Sequence, residues 1–572
     1  MRFQLSDIVA EPQIAYFSME IGFRNDIPTY SGGLGVLAGD TIKSAADLNL
    51  PVLAVTLIHR KGYFRQEIDE SGWQREFPEV WNPADNMALL PNKIHIKIDG
   101  RDVAVQAWVY DIVNPITKWF VPIFFLDTDL PENSPADREL THHLYGGDDR
   151  YRLKQEAILG IGGVRMLKAL GFVIKKYHMN EGHAAFLTLE LLLRYKKDIE
   201  AVWDEREVWD IERVKELCIF TTHTPVEAGH DKFPYDMVQG TLGDLIPVDV
   251  LKDLGGKDRL NMTRLAMNLS NQINGVAKKH ADVSKQLFPG YKISAITNGV
   301  HTFTWTCESM ARLYDKYIPG WVNEPEFFVR VGKIPDEEIW DAHMEAKRKL
   351  IDYVNKVTGA GMDYDTLTIG FARRATAYKR ANLLFHDTER LKRIGRGKIQ
   401  VIYAGKAHPH DTDGKKNIQE IIRRGQELKN DIKIVYLSGY DMALALMMVS
   451  GVDVWLNTPM RPREASGTSG MKAAHNGVVN FSVLDGWWIE GHIEGFTGWA
   501  IGAAPTESTL VQPTDDMDAE SLYYKLEHDV IETYYNKRGI WLRLMQNAIG
   551  KNAYYFNSHR MMRRYVTEAY IR

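Results

Sequence analysis

The stretch Arg463–Asn476, REASGTSGMKAAHN, concentrates residues that could do chemistry. Ser466, Gly467, Thr468, Ser469 and Gly470 are small, leave backbone N–H groups accessible and stand where a helix is predicted to begin. Free amides, hydroxyl donors and the positive end of a helix together make an anion cradle. Lys472 follows within the first turn. A lysine beside a phosphate cradle can pair with the phosphate or form a Schiff base with a phosphorylated aldehyde. Spacing alone fits a solvated loop with an exposed Lys472 equally well. A Walker loop is a poor match, because the six-residue glycine frame and the Ser/Thr after the lysine are missing.

A second cluster, Arg373, Arg374, Tyr378, Lys379 and Arg380, directly follows an apolar strand pattern, LTIGFA. Charge runs are usually solvated helix faces, but a strand-to-helix junction is where α/β folds bind oxyanions. The glycine loop SGGLG, Ser31–Gly35, offers amides to a phosphate, or is simply a tight turn; Glu20 lies just upstream. His223 and His230 in TTHTPVEAGHDKFP, and Asn180, Glu181 and His183 in NEGHAAF, are ambiguous between structural and catalytic roles. Neither has HExxH spacing, and AHPHDTD at 407–413 reads as a polar loop capping a helix, so no metal is expected.

The elements that must position these residues follow a regular pattern. Ile14–Phe17, the glycine loop, the helical run VLAGDTIKSAADLNL and the strand PVLAVTLIH form one α/β unit. A hairpin turns at Asp99-Gly100, WFVPIFFL is a further strand, and a helix starts at Arg152, weakened by internal glycines. A helix over Pro335–Gly359 ends in GAGMD, where the main domain boundary is expected. Beyond it strands and helices alternate: LTIGFA, IQVIYAG, IKIVYLSG, VDVWLN and VVNFSVLDG, with helices between. That alternation predicts a parallel sheet covered on both faces, with ligands at the carboxyl ends of its strands. The expected organisation is an α/β domain over 1–358, a second over 359–545, and a C-terminal helix over 546–572 amphipathic enough to cross back onto the first. The two doubly wound, Rossmann-like domains would face a central cleft.

Bulk composition excludes several classes. The 572 residues are 45% hydrophobic and 25% charged, with a net charge of −5. No global basic field recruits nucleic acid or anionic membrane. No uninterrupted apolar run reaches membrane-spanning length, and the N-terminal MRFQLSDIVAEPQ lacks a signal-peptide core. Cys218 and Cys307 form no metal spacing or disulfide framework, which fits a reduced, cytoplasmic compartment.

Taken together, and in this order along the chain, the segments resemble the glycogen and starch phosphorylase family. EASGTSGMK is similar to the family's EASGTGNMK cofactor signature, and SGGLG, RLKQE at Arg152–Glu156, THT around His223, TNG at Thr297–Gly299 and RR…YKR support it. The resemblance implies a GT-B glycosyltransferase architecture and pyridoxal 5′-phosphate held by Lys472. Thr468, Ser469 and Gly470 would cradle the cofactor phosphate, with Tyr440, Arg373 and Trp305 nearby. Arg374, Lys379 and the backbone at Gly33 would bind substrate phosphate. Glu464, Ser466, Gly467, Asn298 and His223 would hold the glucosyl unit, and Glu20 resembles an acid near the pocket. The implied reaction moves a glucosyl unit from an α-1,4-glucan or maltodextrin to inorganic phosphate; a homo-oligomer is compatible with the resemblance.

One departure stands out: the family's cofactor-site tyrosine is followed by arginine, whereas Tyr440 is followed by Asp441. The chain also begins close to the first motif, so phosphorylation or nucleotide control through an N-terminal extension is not expected. Two other readings compete. A nucleotide-sugar glucosyltransferase of the starch-synthase type shares the architecture and a GGLG loop, but does not need Lys472. A noncatalytic glucan-binding protein would not need the phosphate-binding residues.

Overall fold

The computed structural model describes residues 13–202, 204–503 and 513–571. The N-terminal stretch read for a targeting signal lies, apart from Gln13, outside them. Two sheets carry the site. The nine-stranded sheet runs in the order Ser294–Ala295, Gln272–Gly275, Cys218–Thr221, Ile174–Asn180, Gln13–Ser18, Val52–Leu57, Phe120–Asp127, Arg101–Val113 and Ala88–Ile98. Pairing is parallel from Ser294–Ala295 through Phe120–Asp127, and antiparallel for the last two strands. Asp99-Gly100, both at positive φ, make the tight turn between those two.

The six-stranded sheet is wholly parallel, in the order Lys433–Leu437, Ile399–Ala404, Leu367–Ala372, Val454–Asn457, Val479–Val483 and Gly498–Ile501. In chain order this is 3-2-1-4-5-6, the doubly wound arrangement. The parallel part of the first sheet follows the same winding. Each sheet therefore reverses direction beside its first strand, at Gln13–Ser18 and at Leu367–Ala372. Crevices open at the carboxyl ends there, and the loops after those strands carry Glu20 in one sheet and Arg373 and Arg374 in the other.

The strands are buried on both faces, as covered parallel sheets require; Val52–Leu57, Leu367–Ala372 and Ile399–Ala404 are buried throughout. The helix expected from Arg152 continues through its glycines by a π-turn at Ile158–Gly162, between Asp149–Ala157 and Gly163–Ala169. Gly160 is needed there, since a Cβ would lie 2.5 Å from the Leu187 nitrogen.

Packing differs from the expected division at 358. Met310, Leu313, Tyr314, Trp321, Phe328 and Ile339 share one apolar core with Leu367, Ile369 and Val401 of the second sheet. The helix Asp336–Thr358 thus packs on the second sheet, although it precedes the glycine-rich break. At the other end Ile549 and Ala553 still belong to that core. Met561, Met562, Tyr565 and Tyr570 pack instead with Ile14 and Tyr16 of the first sheet and Ile42 of the helix Gly33–Asp47. The chain end crosses back, and it does so after about Phe556 rather than at 546. A glycine break marks where a helix stops, not which core the helix joins.

Candidate active site

The second sheet presents Lys472 from the helix Thr468–Ala474. That helix starts after Gly467, which is left-handed at φ 87° and offers no side-chain cap, so the Thr468 and Ser469 amides stay open to a ligand, while that of Gly470 donates to Gly467 O at 3.3 Å. Gly470 is required by packing: a Cβ would lie 2.4 Å from Asn480 Oδ1 and 2.8 Å from the Trp487 ring. Ser469 Oγ accepts from the Trp455 indole at 3.1 Å. Lys472 is only 8% exposed, with Nζ 3.8 Å from the centre of the Trp305 ring. Burial pushes its ammonium down to about 8; Asp40 opposes this and Lys43 adds to it. Among the described residues no carboxylate forms an ion pair with it. The Trp305 indole donates to both carboxylate oxygens of Asp40, at 3.0 and 2.9 Å.

These features fit a phosphorylated aldehyde cofactor. They supply a buried primary amine close to its neutral form, an aromatic wall and an uncapped, glycine-shaped helix start. Tyr440 and Arg373 lie close to each other: burial raises the Tyr440 phenol and Arg373 opposes this. Asp441 turns out to be a cap. Its Oδ1 accepts from the Leu444 amide at 2.8 Å at the start of the helix Met442–Gly451, and its Oδ2 accepts from Asn25 at 3.4 Å.

Glu464 joins the stretch that carries Lys472 to the cationic cluster after Leu367–Ala372. Its Oε2 lies 2.8 Å from Arg373 and 2.6 Å from Lys379, with all three side chains nearly buried. Burial raises the Glu464 carboxyl, but Arg373 and Lys379 hold it below the ordinary range. Arg373 also donates to Asn457, at the end of Val454–Asn457. Arg374 is exposed and holds no carboxylate among the described residues. Lys379 and Arg373 thus face Glu464 in common. The Glu464 amide donates to Asp485 at 2.9 Å, and burial lifts the Asp485 carboxyl to about 7, aided by Glu464.

Across the cleft, Glu20 is buried and organises the glycine loop. Its Oε2 accepts from the amides of Ser31 at 2.6 Å and Gly32 at 3.2 Å, and its Oε1 accepts from the Tyr145 hydroxyl at 3.0 Å. Gly33 opens the helix Gly33–Asp47, where a Cβ would meet nothing within 4 Å, so its backbone faces open space. His223 donates its amide to Glu181 at 2.7 Å, and its Nε2 meets Asn180 Oδ1 at 2.6 Å. Burial lowers its imidazole to about 4, so it is neutral at pH 7 and donates that proton to Asn180. Asn298 Nδ2 donates to Ser466 Oγ at 3.1 Å, linking the two sides.

A cavity of about 270 Å³ lies at the mouth, lined by Tyr63, His143, Tyr145, Tyr151, His408 and His410. AHPHDTD is the helix cap expected of it: Asp411 accepts from the Gly414 amide at 2.8 Å, starting Thr412–Leu428. Among the described residues, the group of metal-ligand geometry is Asp47, His301 and His559, away from those motifs. There His301 Nδ1 accepts from the Thr304 amide, which leaves its proton on Nε2 facing Asp47.

Asp40, Asn180, Glu181 and Asp485 were not singled out as site residues from sequence, or were left ambiguous. Asp40 gave no signal of its own: it stands at helical spacing from Val36 and Ser44, but only the fold shows that all three are buried.

Among the described residues no helix is long and apolar enough to cross a membrane. Residues 246–494 match the family model described as carbohydrate phosphorylase. The maltodextrin phosphorylase of Thermococcus litoralis is 41% identical, over 98% of this chain and 70% of that protein. The glycogen phosphorylase of Aquifex aeolicus is 36% identical, over 97% of this chain and 86% of that protein. That of Mycobacterium tuberculosis is also 36% identical, over 97% and 70%. On this similarity, together with the site just described, the chain belongs to the carbohydrate phosphorylase family.

Proposed function

We propose that the chain is an α-glucan phosphorylase, transferring the nonreducing-end glucosyl unit of an α-1,4-glucan to inorganic phosphate and releasing α-glucose 1-phosphate. The observation that carries this reading is the buried Lys472 amine on Trp305, on a helix with an uncapped start whose preceding loop brings Glu464 to the cations Arg373 and Lys379. A nucleotide-sugar glucosyltransferase has no use for that lysine, and the names of the relatives do not favour it.

The cofactor in this reading is pyridoxal 5′-phosphate, held by Lys472, with Thr468, Ser469 and Gly470 at its phosphate and Tyr440, Arg373 and Trp305 around it. When bound, it supplies a second phosphate that tunes the proton of the substrate phosphate. Arg374, Lys379 and the Gly33 amide neutralise the substrate phosphate. Arg373, Lys379 and Glu464 together keep one net positive charge, and Arg374 adds another, which suits an incoming oxyanion. Glu464, Ser466, Gly467, Asn298 and neutral His223 hold the sugar hydroxyls as hydrogen-bond partners, leaving fewer buried groups unpaired when substrate is present. The substrate phosphate gives its proton to the departing glycosidic oxygen as the C1–O bond breaks. One of its oxygens then bonds to C1, and no carboxylate need act as nucleophile. The aromatic residues at the mouth offer faces for the glucan to stack on.

Two α/β domains with the chain end crossing back onto the first, and a cytoplasmic location, belong to the same proposal; Cys218 and Cys307, both free, support the latter. Incubation with maltoheptaose and phosphate should give glucose 1-phosphate. Release of glucosyl units only from a nucleotide sugar would overturn the reading.

A further inference from the structure

The turn Thr297–Asn298–Gly299 is gripped by the crossing C-terminal segment. Val300 N donates to Phe556 O at 3.1 Å, and Ser558 N donates to Val300 O at 2.9 Å. Arg560 donates from its two terminal nitrogens to Thr297 O at 2.6 Å and to Asn298 O at 2.9 Å. Its Nε donates to Tyr555 O at 2.8 Å. Gly299 lies so close to this segment that a Cβ would stand 2.1 Å from Asn557 O. On the other side Glu490 accepts from Thr297 Oγ1 at 3.0 Å.

The side chain held by this grip has one unmet need. Asn298 donates to Ser466, but its Oδ1 is buried with no partner in the chain. A buried acceptor without a donor is unfavourable, so a donor from outside fits there. A sugar hydroxyl is such a donor. Where Oδ1 points depends on the peptide planes on either side of Asn298, and the two carbonyls that fix those planes both accept from one guanidinium. Arg560 makes no ion pair among the described residues; its nitrogens donate to backbone carbonyls, and its guanidinium lies over the Tyr555 ring, 4.6 Å from its centre. A lysine has no planar fork and cannot hold both carbonyls in one geometry.

We propose that Arg560 is a positioning residue for the glucosyl site, setting the aim of Asn298 from the far end of the chain. This rests on the reading that Asn298 binds the glucosyl unit. The test is a double-mutant cycle on the full-length holoenzyme with Arg560→Lys, Asn298→Ala and the pair. Its readouts are kcat/KM for glucose 1-phosphate in glucan synthesis, KM for phosphate in phosphorolysis, and the thermal unfolding midpoint. Arg560→Lys should lower kcat/KM for glucose 1-phosphate about tenfold and leave phosphate KM nearly unchanged. In the Asn298→Ala background it should cost little more. If the lysine variant does not fold, Arg560→Gln carries the same cycle. Losses that multiply in the double variant, or a phosphate KM that rises equally, overturn the positioning role alone. An Asn298→Ala variant with unchanged kcat/KM overturns the sugar-site reading and this proposal with it.

Discussion

Lys472 Nζ stands 3.8 Å from the centre of the Trp305 ring, and Asp40 fixes that ring through its indole N–H. The amine is thus held by an aromatic face rather than by a carboxylate. An ion pair would keep the ammonium charged, whereas burial against a ring lowers it to about 8. The same arrangement that withdraws the amine from water leaves it a usable nucleophile.

Lys472 should therefore react with carbonyl compounds at lower pH than other lysines. In cofactor-free protein, reductive labelling at this residue, read by peptide mapping, should be half-maximal near pH 8. Exposed lysines should follow at about 10.4. Reconstitution with pyridoxal phosphate followed by borohydride should tag the same peptide. A tag elsewhere, or a Lys472 profile matching the other lysines, would refute the assignment.

Lys379→Ala should chiefly impair phosphate use. Loss of a charge-assisted contact worth roughly 1.5–3 kcal/mol implies a phosphate KM raised roughly ten- to a hundredfold. Glu464 keeps Arg373 as its partner, so the carboxylate is not left unpaired. Lys379→Arg should recover part of the loss. Initial rates across phosphate concentrations decide it, and an unaltered phosphate dependence removes Lys379 from the site.

Asp441 should matter for stability rather than chemistry. As a cap, its replacement by alanine should cost about 1 kcal/mol in denaturant unfolding, while Asp441→Asn should cost a few tenths at most. Phosphate KM should stay the same in both. A large rise in KM with unchanged stability would mean that the carboxylate acts on the bound phosphate.

What sequence made legible was local. Glycines, hydroxyls and Lys472 in one short stretch, apolar strands alternating with helices, and Asp411 before a helix all act through near neighbours. What it hid depended on packing. Helix Asp336–Thr358 carries no mark of the sheet it will cover, and Asp40 looks like any acid in a helix until Trp305 arrives from 265 residues away. Asp441 stands out in the sequence only as an acid where the family has arginine, and nothing there shows that its carboxylate turns to the Leu444 amide. The pairing of Glu464 with Lys379 was equally hidden, since the two meet only when two loops converge.

Asp485 makes the stability of this loop pH-dependent. Its carboxyl sits near 7 in the folded chain because of burial, with Glu464 adding to it, against about 3.9 when unfolded. Between those values the folded state binds the proton more tightly, so this group's contribution to stability falls as pH rises from about 4 to 7. Asp485→Asn removes that dependence while keeping an acceptor for the Glu464 amide. The variant should gain on the wild type across that window, by up to roughly 4 kcal/mol above pH 7, with little relative change below pH 4. Denaturant unfolding of both proteins at several pH values measures the difference, and a difference that does not vary with pH would show that Asp485 is already ionised in the folded state.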